Sequence, residues 1–420
     1  MRHRDRVTAA PSAVSLWRHR NFRRLWIGET VSHFGTQVSV VAIPLVAVTT
    51  LHAGALAVGL LSTLETIAFA VLGLPAGAWC DRWRRRPVLI TADVGRAIAL
   101  ATVPIAAAFH VLTFGQLCAV VTVSGVLTVF FDVDYQAFLP TLVGRDHVVA
   151  ANGALEASRS AAALGGPSLG GLLAQLFTAP YAVAADAVSF AWSAAWIAAI
   201  DAAEVRKPRA QSSTGREILD GLRFVFGHRL LRMLAGSTAS FNLFNGLTNA
   251  VVVLFLVRTV GLSAGSIGVL FSAAGLGGLA GALVAHRLNR SLGYARMIRG
   301  SAAIVALLAP LLPLTDRGWR LSLFVVWSLV GSAAIAAYNI ATVSLRQVLC
   351  PPELLGRMNA TMRFVVWGTL PLGSLLGGAL GANLGLRGAL WVAAIGTLGS
   401  PAWVFASPLR AGQPVTEGVF

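Results

Sequence analysis

Twelve runs of mostly apolar residues, each bounded by charge, glycine or proline, fall at 26–49, 57–79, 88–109, 115–139, 157–177, 181–200, 235–257, 265–285, 297–315, 320–345, 364–384 and 387–407. A helix needs about 20 apolar residues to cross the hydrocarbon core of a bilayer. In lipid, a helix satisfies all of its own backbone polar groups, which few other backbones can do. The pattern therefore predicts an all-α membrane protein of twelve transmembrane helices. Only 12% of the residues are charged, against about 25% in a soluble domain, so there is no room for a soluble domain of any size. The first run is about twice as long as a signal-peptide core and no small-residue cleavage site follows it, so a cleavable leader is not expected.

The charge that remains is distributed by side. Of the 33 basic residues, most sit in the N-terminal tail, after the even-numbered runs 2, 4, 6, 8 and 10, and at Arg410. The opposite side has Arg258, Arg317, Arg320 and Arg387, and Arg96 lies within a run. Basic loops stay in the cytoplasm, so both termini are expected there, in a multi-pass protein of the inner or plasma membrane. The formal net charge of +16 then reflects topology and attraction to anionic lipid rather than nucleic-acid binding. Cys80, Cys118 and Cys350 are odd in number and far apart. They supply neither a disulfide framework nor metal-ligand spacing.

The only long internal loop, 201–232, separates six spans from six. It predicts three parts: an N-terminal six-helix bundle over 1–200, a cytoplasmic linker over 201–232, and a C-terminal six-helix bundle over 233–420. In the linker Ile218, Leu222, Val225 and Phe226 recur at helical spacing opposite Arg223 and Arg229, as in an amphipathic helix lying on the membrane surface. A faint repeat relates the halves. Gln136 to Pro140 and Gln347 to Pro351 both end a fourth span, with Asn152 and Asn359 soon after. Internal repeats of this kind are frequent in secondary transporters.

After the second run the chain reads Gly77-Ala-Trp-Cys-Asp81-Arg82-Trp-Arg84-Arg85-Arg86. Here it resembles the major facilitator superfamily, whose loop between helices 2 and 3 carries Gly-x-x-x-Asp-Arg-x-Gly-Arg-Arg; Arg84 replaces the second glycine. The resemblance implies a cytoplasmic latch at Gly77, Asp81, Arg82, Arg85 and Arg86. A topogenic basic loop is the plainer alternative. The fifth run holds Gly165-Gly166-Pro167-Ser-Leu-Gly170-Gly171, which resembles the Gly-Pro-x-x-Gly-Gly element of exporters in this superfamily, against simple close packing of small residues. Diffuse signatures run over nearly the whole chain: Asn21 to Trp26, Phe131 to Pro140, Ala150 to Asn152, Gly221 to Phe224 and Gly356 to Asn359. They resemble the branch that contains the enterobactin exporter and macrolide-efflux-like proteins, although a shared fold does not name a substrate.

Carboxylates inside a membrane are costly and therefore informative. Those within spans are Glu29, Glu65, Asp93, Asp132, Asp134 and Asp186, all in the first half. Glu65 lies nearest the middle of its span and is the leading proton-coupling residue, with Glu29 and Asp132 next; a hydrogen-bonded packing role is the alternative. Asp93 and Arg96, three residues apart, suit a neutralising pair and are assigned to the cytoplasmic gate. The second half offers neutral polarity instead. Asn242, Asn245 and Asn249 form a stripe on the seventh run, and with His33 and Gln37 on the first and Tyr338 and Asn339 on the tenth they are candidates to line a substrate cavity.

No Walker loop, metal-binding His/Cys set or nucleophile elbow is present. The chain reads as neither an enzyme nor an ATP-driven pump, with no cofactor and no metal. The reading expects a monomer that exports an amphipathic small molecule, such as a drug, siderophore or secondary metabolite, in exchange for protons. The alternatives are a nutrient or lipid importer or facilitator, and a non-transporting membrane receptor.

Overall fold

The computed structural model describes residues 13–80, 83–144, 147–201, 214–351 and 354–407. A short helix α1 (Ala13–Arg18) precedes the first six spans: α2 (Arg20–Leu45), α3 (Ala55–Cys80), α4 (Arg85–Ala108), α5 (Phe114–Val143), α6 (Val148–Phe177) and α7 (Ala179–Ala198). After the linker helix α8 (Thr214–Gly227) come α9 (Arg229–Phe255), α10 (Ala264–Leu308), α11 (Leu321–Leu349), α12 (Leu355–Trp367), α13 (Thr369–Gly399) and α14 (Ala402–Phe405). Among the described residues there is no strand.

Twelve crossings emerge because two of these helices are bent. Gly293 in α10 (φ 74°, ψ 165°) and Gly385 in α13 (φ 76°, ψ 163°) adopt a conformation that only glycine reaches without strain. The two arms of α13 run in opposite directions: Thr369 at its start bonds to Ala239 O, and Trp403 just beyond its end bonds to Ser240. Gly368 keeps helical dihedrals, so α12 and the first arm of α13 make one crossing. Ten helical segments among the described residues are long and apolar enough to span a membrane, one of them the 49-residue path from Arg357 to Phe405. The crossing outside that set is α6, whose small residues and Glu156–Arg159 turn dilute its hydropathy. Several helices run past their expected ends; α6 begins at Val148 rather than near 157.

Local structure repeats between the two sets of six. The first span of each is N-capped by a histidine: His19 Nδ1 accepts from Phe22 N at 3.2 Å, and His228 Nδ1 accepts from Leu231 N at 3.4 Å. Each of those spans ends in a five-residue π turn, Val46–Thr50 and Leu256–Val260. The joint between the fifth and sixth crossings is Thr178 (φ 75°, ψ 157°) in the first set and Gly385 in the second.

The helix α8 falls where the linker predicts one, but its apolar residues do not all point one way. Val225 is fully buried with Met358 and Met362 of α12, and Gly221 lies against Arg357 O, whereas Leu219 and Phe226 are exposed. The helix rests on the second group as well as presenting an apolar edge outward.

A candidate transport site between the two helix groups

The first group (α2–α7) meets the second (α9–α14) along two seams, α3 against α13 and α6 against α10. Both seams are tight toward the end that carries Arg258, Arg317, Arg320 and Arg387, hereafter the arginine-poor end. A Cβ on Gly59 would lie 2.6 Å from Gly378 Cα, and one on Gly171 would lie 2.9 Å from Gly268 Cα. Real Cβ atoms do not approach so closely, so these helices touch only because both partners are glycine. Polar contacts complete the closure. Arg258 donates to Ala53 O at 2.9 Å, Gly265 N donates to Gln175 Oε1 at 3.0 Å, Ser168 and Ser272 share a hydrogen bond at 2.7 Å, and Thr63 reaches Pro371 O at 3.2 Å.

The Gly166–Gly171 element serves two neighbours at once. Gly166 and Gly170 lie against Gln37 and Val38 of α2, while Gly171 and the Pro167 carbonyl meet α10 at Ala264 and Gly268. Helix α6 passes through Pro167 without a break. The element is the small-faced surface by which α6 packs against its own group and the other.

Toward the arginine-rich end the groups touch through α3 and α12. The Phe69 and Trp367 rings approach to 5.3 Å between centroids beside a cavity of about 100 Å³ that Gly73, Val133, Arg363 and Phe364 also line. Glu65 lies one turn from Phe69 and two from Gly73 on the same face of α3. Its side chain is exposed, and among the described residues its carboxylate has no hydrogen bond or ion pair. Glu65 thus lies deep among the helices, as its mid-span position predicts, with a side chain that is still exposed.

The buried carboxylates sit elsewhere in the first group. Glu29 is 3% exposed; its Oε1 has no hydrogen-bond partner, and its Oε2 is 3.9 Å from His33 Nε2. Asp93 is fully buried and paired with Arg96, whose guanidinium is sandwiched between the Phe131 and Phe190 rings at 4.5 and 4.0 Å. Arg96 also donates to Thr128 at 3.3 Å. Asp93, Arg96, Asp132 and Arg159 are all within electrostatic reach of Glu29, and Arg363 of the second group is within reach of Asp132. Asp186 accepts from Ser39 at 2.5 Å and from Ser189 at 3.2 Å, packed against Gly35. Asp134 is buried.

Of the expected gate, Asp81 and Arg82 lie outside the described residues. Gly77 occupies the last turn of α3. Arg85 donates to Ala137 O, and Arg86 donates to Ile197 O at 3.2 Å and to Ala198 O. These two arginines thus tie α4 to the C-terminal turns of α5 and α7 within their own group, where the helix dipole attracts cations. Asp93 and Arg96 are interior to the same group rather than at its edge.

The second group divides its polar residues in the same way. Asn242 donates to Val366 O at 2.8 Å, so it spends its amide on packing. Asn249 donates to Asn245 at 3.0 Å, and both line a cavity of about 250 Å³. Tyr338 does not reach that cavity. It is buried among Leu230, Leu234 and Met297 with its hydroxyl 3.2 Å from Thr238, while Asn339 is exposed. Consecutive helical residues diverge by about 100°, so the pair could not share one wall. The residue that sequence reasoning missed is Ser328, buried at the floor of the cavity; a serine in an apolar run carries no signal of its own.

No curated protein matches the sequence. Among solved structures, the nucleoside transporter NupG is 15% identical, with 92% of this chain and 98% of that chain covered and a TM-score of 0.75. A bacterial homologue of the iron transporter ferroportin in its inward-facing state is 17% identical over 92% and 98%, with a TM-score of 0.73. A bacterial homologue of the human lysosomal transporter Spinster, inward-facing and unoccupied, is 14% identical over 93% and 96%, with a TM-score of 0.66. The transmembrane secretion effector family matches residues 11–417. With nearly the whole chain matched and twelve crossings in the arrangement of these transporters, the protein belongs to that family and is a membrane transporter of the major facilitator type.

Proposed function

We propose that the protein exports an amphipathic small molecule across the plasma membrane in exchange for protons, by alternating access. The bundles are 1–200 and 233–420, joined by the linker 201–232 on the cytoplasmic side with both termini. Loop charge supports that orientation: the arginine-rich end faces the cytoplasm, and the tight glycine seams lie on the outer side. Glycine contacts at the seams are suited to alternation because they hold by shape and release without breaking buried ion pairs. On the return stroke the loop from Gly77 to Arg86 is the latch, with Asp81 and Arg82 as its acting pair.

One observation carries the coupling reading: an exposed, unpaired Glu65 lies one turn from Phe69, whose ring meets Trp367 of the other group, and it belongs to the group that holds every intramembrane carboxylate. A carboxylate in such a place can take a proton from one side and release it to the other as the cavity switches. Glu29 and Asp132, elsewhere in the same group and within reach of Arg96, are the next candidates. The molecule works as a monomer surrounded by lipid, needing no nucleotide.

The test is paired. In inverted vesicles, a proton gradient accelerates uptake of the exported compound by the wild type, and Glu65→Gln loses that acceleration while its detergent-phase affinity for the compound stays within about twofold. Undiminished driven uptake by Glu65→Gln passes the role to Glu29, examined in the same way as Glu29→Gln. Uptake indifferent to the gradient in the wild type refutes proton exchange.

A further inference from the structure

The second group encloses a pocket of its own, between α9, both arms of α10, α11 and the second arm of α13. Its mouth is at Asn245 and Asn249, the latter exposed, and its floor is at Phe324 and Ser328, which are 1% and 5% exposed. No residue lining it is charged. One wall is an aromatic row: Phe271 and Phe324 ring centroids are 6.0 Å apart, and Trp327 stands edge-on to Phe324 at 5.3 Å.

Within the pocket, Ser328 stands apart. Its hydroxyl is buried without a hydrogen-bond partner, although a helical serine or threonine ordinarily bonds back to a carbonyl of the preceding turn. Thr342 on the same helix does so, to Tyr338 O at 2.9 Å, and Thr248 across the pocket does so, to Phe244 O at 2.9 Å. Asn245 and Asn249 bond to each other. A buried polar group left unsatisfied destabilises a fold and calls for a specific reason. Ser328 lines the pocket, and rotation about its Cα–Cβ bond to another staggered position would turn the hydroxyl toward an entering molecule, which would supply the missing partner.

We propose that this pocket binds an uncharged, ring-bearing portion of the transported molecule, hydrogen-bonded by Ser328 and stacked on Trp327. An ionised group is excluded because the pocket offers no counter-charge to offset its desolvation. At about 250 Å³, the pocket is smaller than the roughly 300–1,000 Å³ of sites that take whole drug-sized ligands. It suits a moiety of about two rings, with the remainder of the molecule extending past Asn249. The site belongs wholly to the second group and would carry its load with that group as the seams open and close. Only that last statement rests on the alternating-access reading; binding itself requires no gradient.

The probe is N-phenyl-1-naphthylamine, a neutral pair of ring systems with one N–H. Its control is 8-anilino-1-naphthalenesulfonate, which has the same rings and an added sulfonate. The full protein in nanodiscs of zwitterionic lipid is titrated with each, and tryptophan-excited probe emission is read after subtraction of empty nanodiscs. The neutral probe is expected to saturate with at least tenfold higher affinity than the sulfonate, and Trp327→Phe to reduce the energy transfer at saturation. Ser328→Ala should weaken the neutral probe about fivefold to tenfold while raising the melting temperature of the ligand-free protein, because it removes an unsatisfied buried hydroxyl. Ala394→Phe should fill the pocket and abolish binding. Equal affinity for the sulfonate, absence of saturable transfer, affinity unchanged by Ser328→Ala, or a melting temperature lowered by it would each overturn the proposal. Loss of proton exchange in vesicles would leave it standing.

Discussion

Arg258, in the π turn that ends α9, donates to the backbone carbonyl of Ala53, 2.9 Å away in the turn between α2 and α3. It joins the two helix groups at their closed end by gripping main chain rather than a carboxylate. A charged donor strengthens a hydrogen bond, but partial exposure screens it, so its contribution to the closed state is about 1 kcal/mol. Arg258→Gln should therefore shift the balance toward opening at this end about fivefold. Spin labels at the exposed Leu56 of α3 and Leu376 of α13 would read the shift as a larger long-distance population. An unchanged distance distribution would leave Arg258 without a gating role.

The glycine contacts give a sharper steric test. A Cβ on Gly268 would collide with the Pro167 carbonyl of α6, whereas one on Gly278, farther along α10, would meet nothing within 4 Å. Gly268→Ala should hold the arginine-poor end open and lower transport more than tenfold, with expression and melting temperature near wild type. Gly278→Ala should transport normally. Equal behaviour of the two variants would mean that α6 and α10 separate enough during the cycle for the contact to be irrelevant.

How much of this was legible in the chain depends on the range of the interaction concerned. The crossings were legible because about 20 apolar residues in a row have few other fates in a membrane protein. The Gly166–Gly171 element was visible too, but its partners Gln37, Val38 and Gly268 lie far away in sequence, so only the three-dimensional packing reveals that it faces two helices. Depth could be counted along α3, which put Glu65 near mid-span. Exposure could not, because it depends on how the helix is rotated toward its neighbours, and that rotation left Glu65 open and Glu29 buried. Tyr338 and Asn339 were grouped by adjacency in a sequence whose helical geometry separates them. The π turns and the bend at Gly385 come from backbone choices that composition does not encode.

Thr178 and Gly385 occupy matching one-residue joints, with φ 75° and 76°. That region is nearly exclusive to glycine and costs other residues about 1–3 kcal/mol. Thr178→Gly should raise stability by about 1 kcal/mol, once the greater freedom of glycine in the unfolded chain is discounted. Gly385→Ala should lower it by about 1–3 kcal/mol. Thermal unfolding of the two variants in one detergent would check both signs. A destabilised Thr178→Gly would mean that the threonine side chain contributes more than its backbone costs.

Asp93 and Arg96 present the last question, whether a buried ion pair in a transporter serves movement or architecture. All of its neighbours belong to the first group: Phe131 on α5, Phe190 on α7 and Thr128 on α5. Nothing in that arrangement needs the second group, which argues for architecture. Removing one partner strands a buried charge and typically costs about 3–5 kcal/mol, whereas replacing both is often close to neutral. Asp93→Asn and Arg96→Gln should each lower the melting temperature sharply, and the double variant should recover most of the loss, giving a large coupling energy in the double-mutant cycle. Arg96→Lys should not substitute, because a lysine cannot stack a planar guanidinium between two rings. Vesicle flux then separates the roles. The architectural reading expects the double variant to transport within about twofold of wild type once folded, since the pair contributes by cancelling charge. A stable double variant without proton-driven flux would instead place Arg96 in the coupling path, acting on Glu29 and Asp132, both within its electrostatic reach.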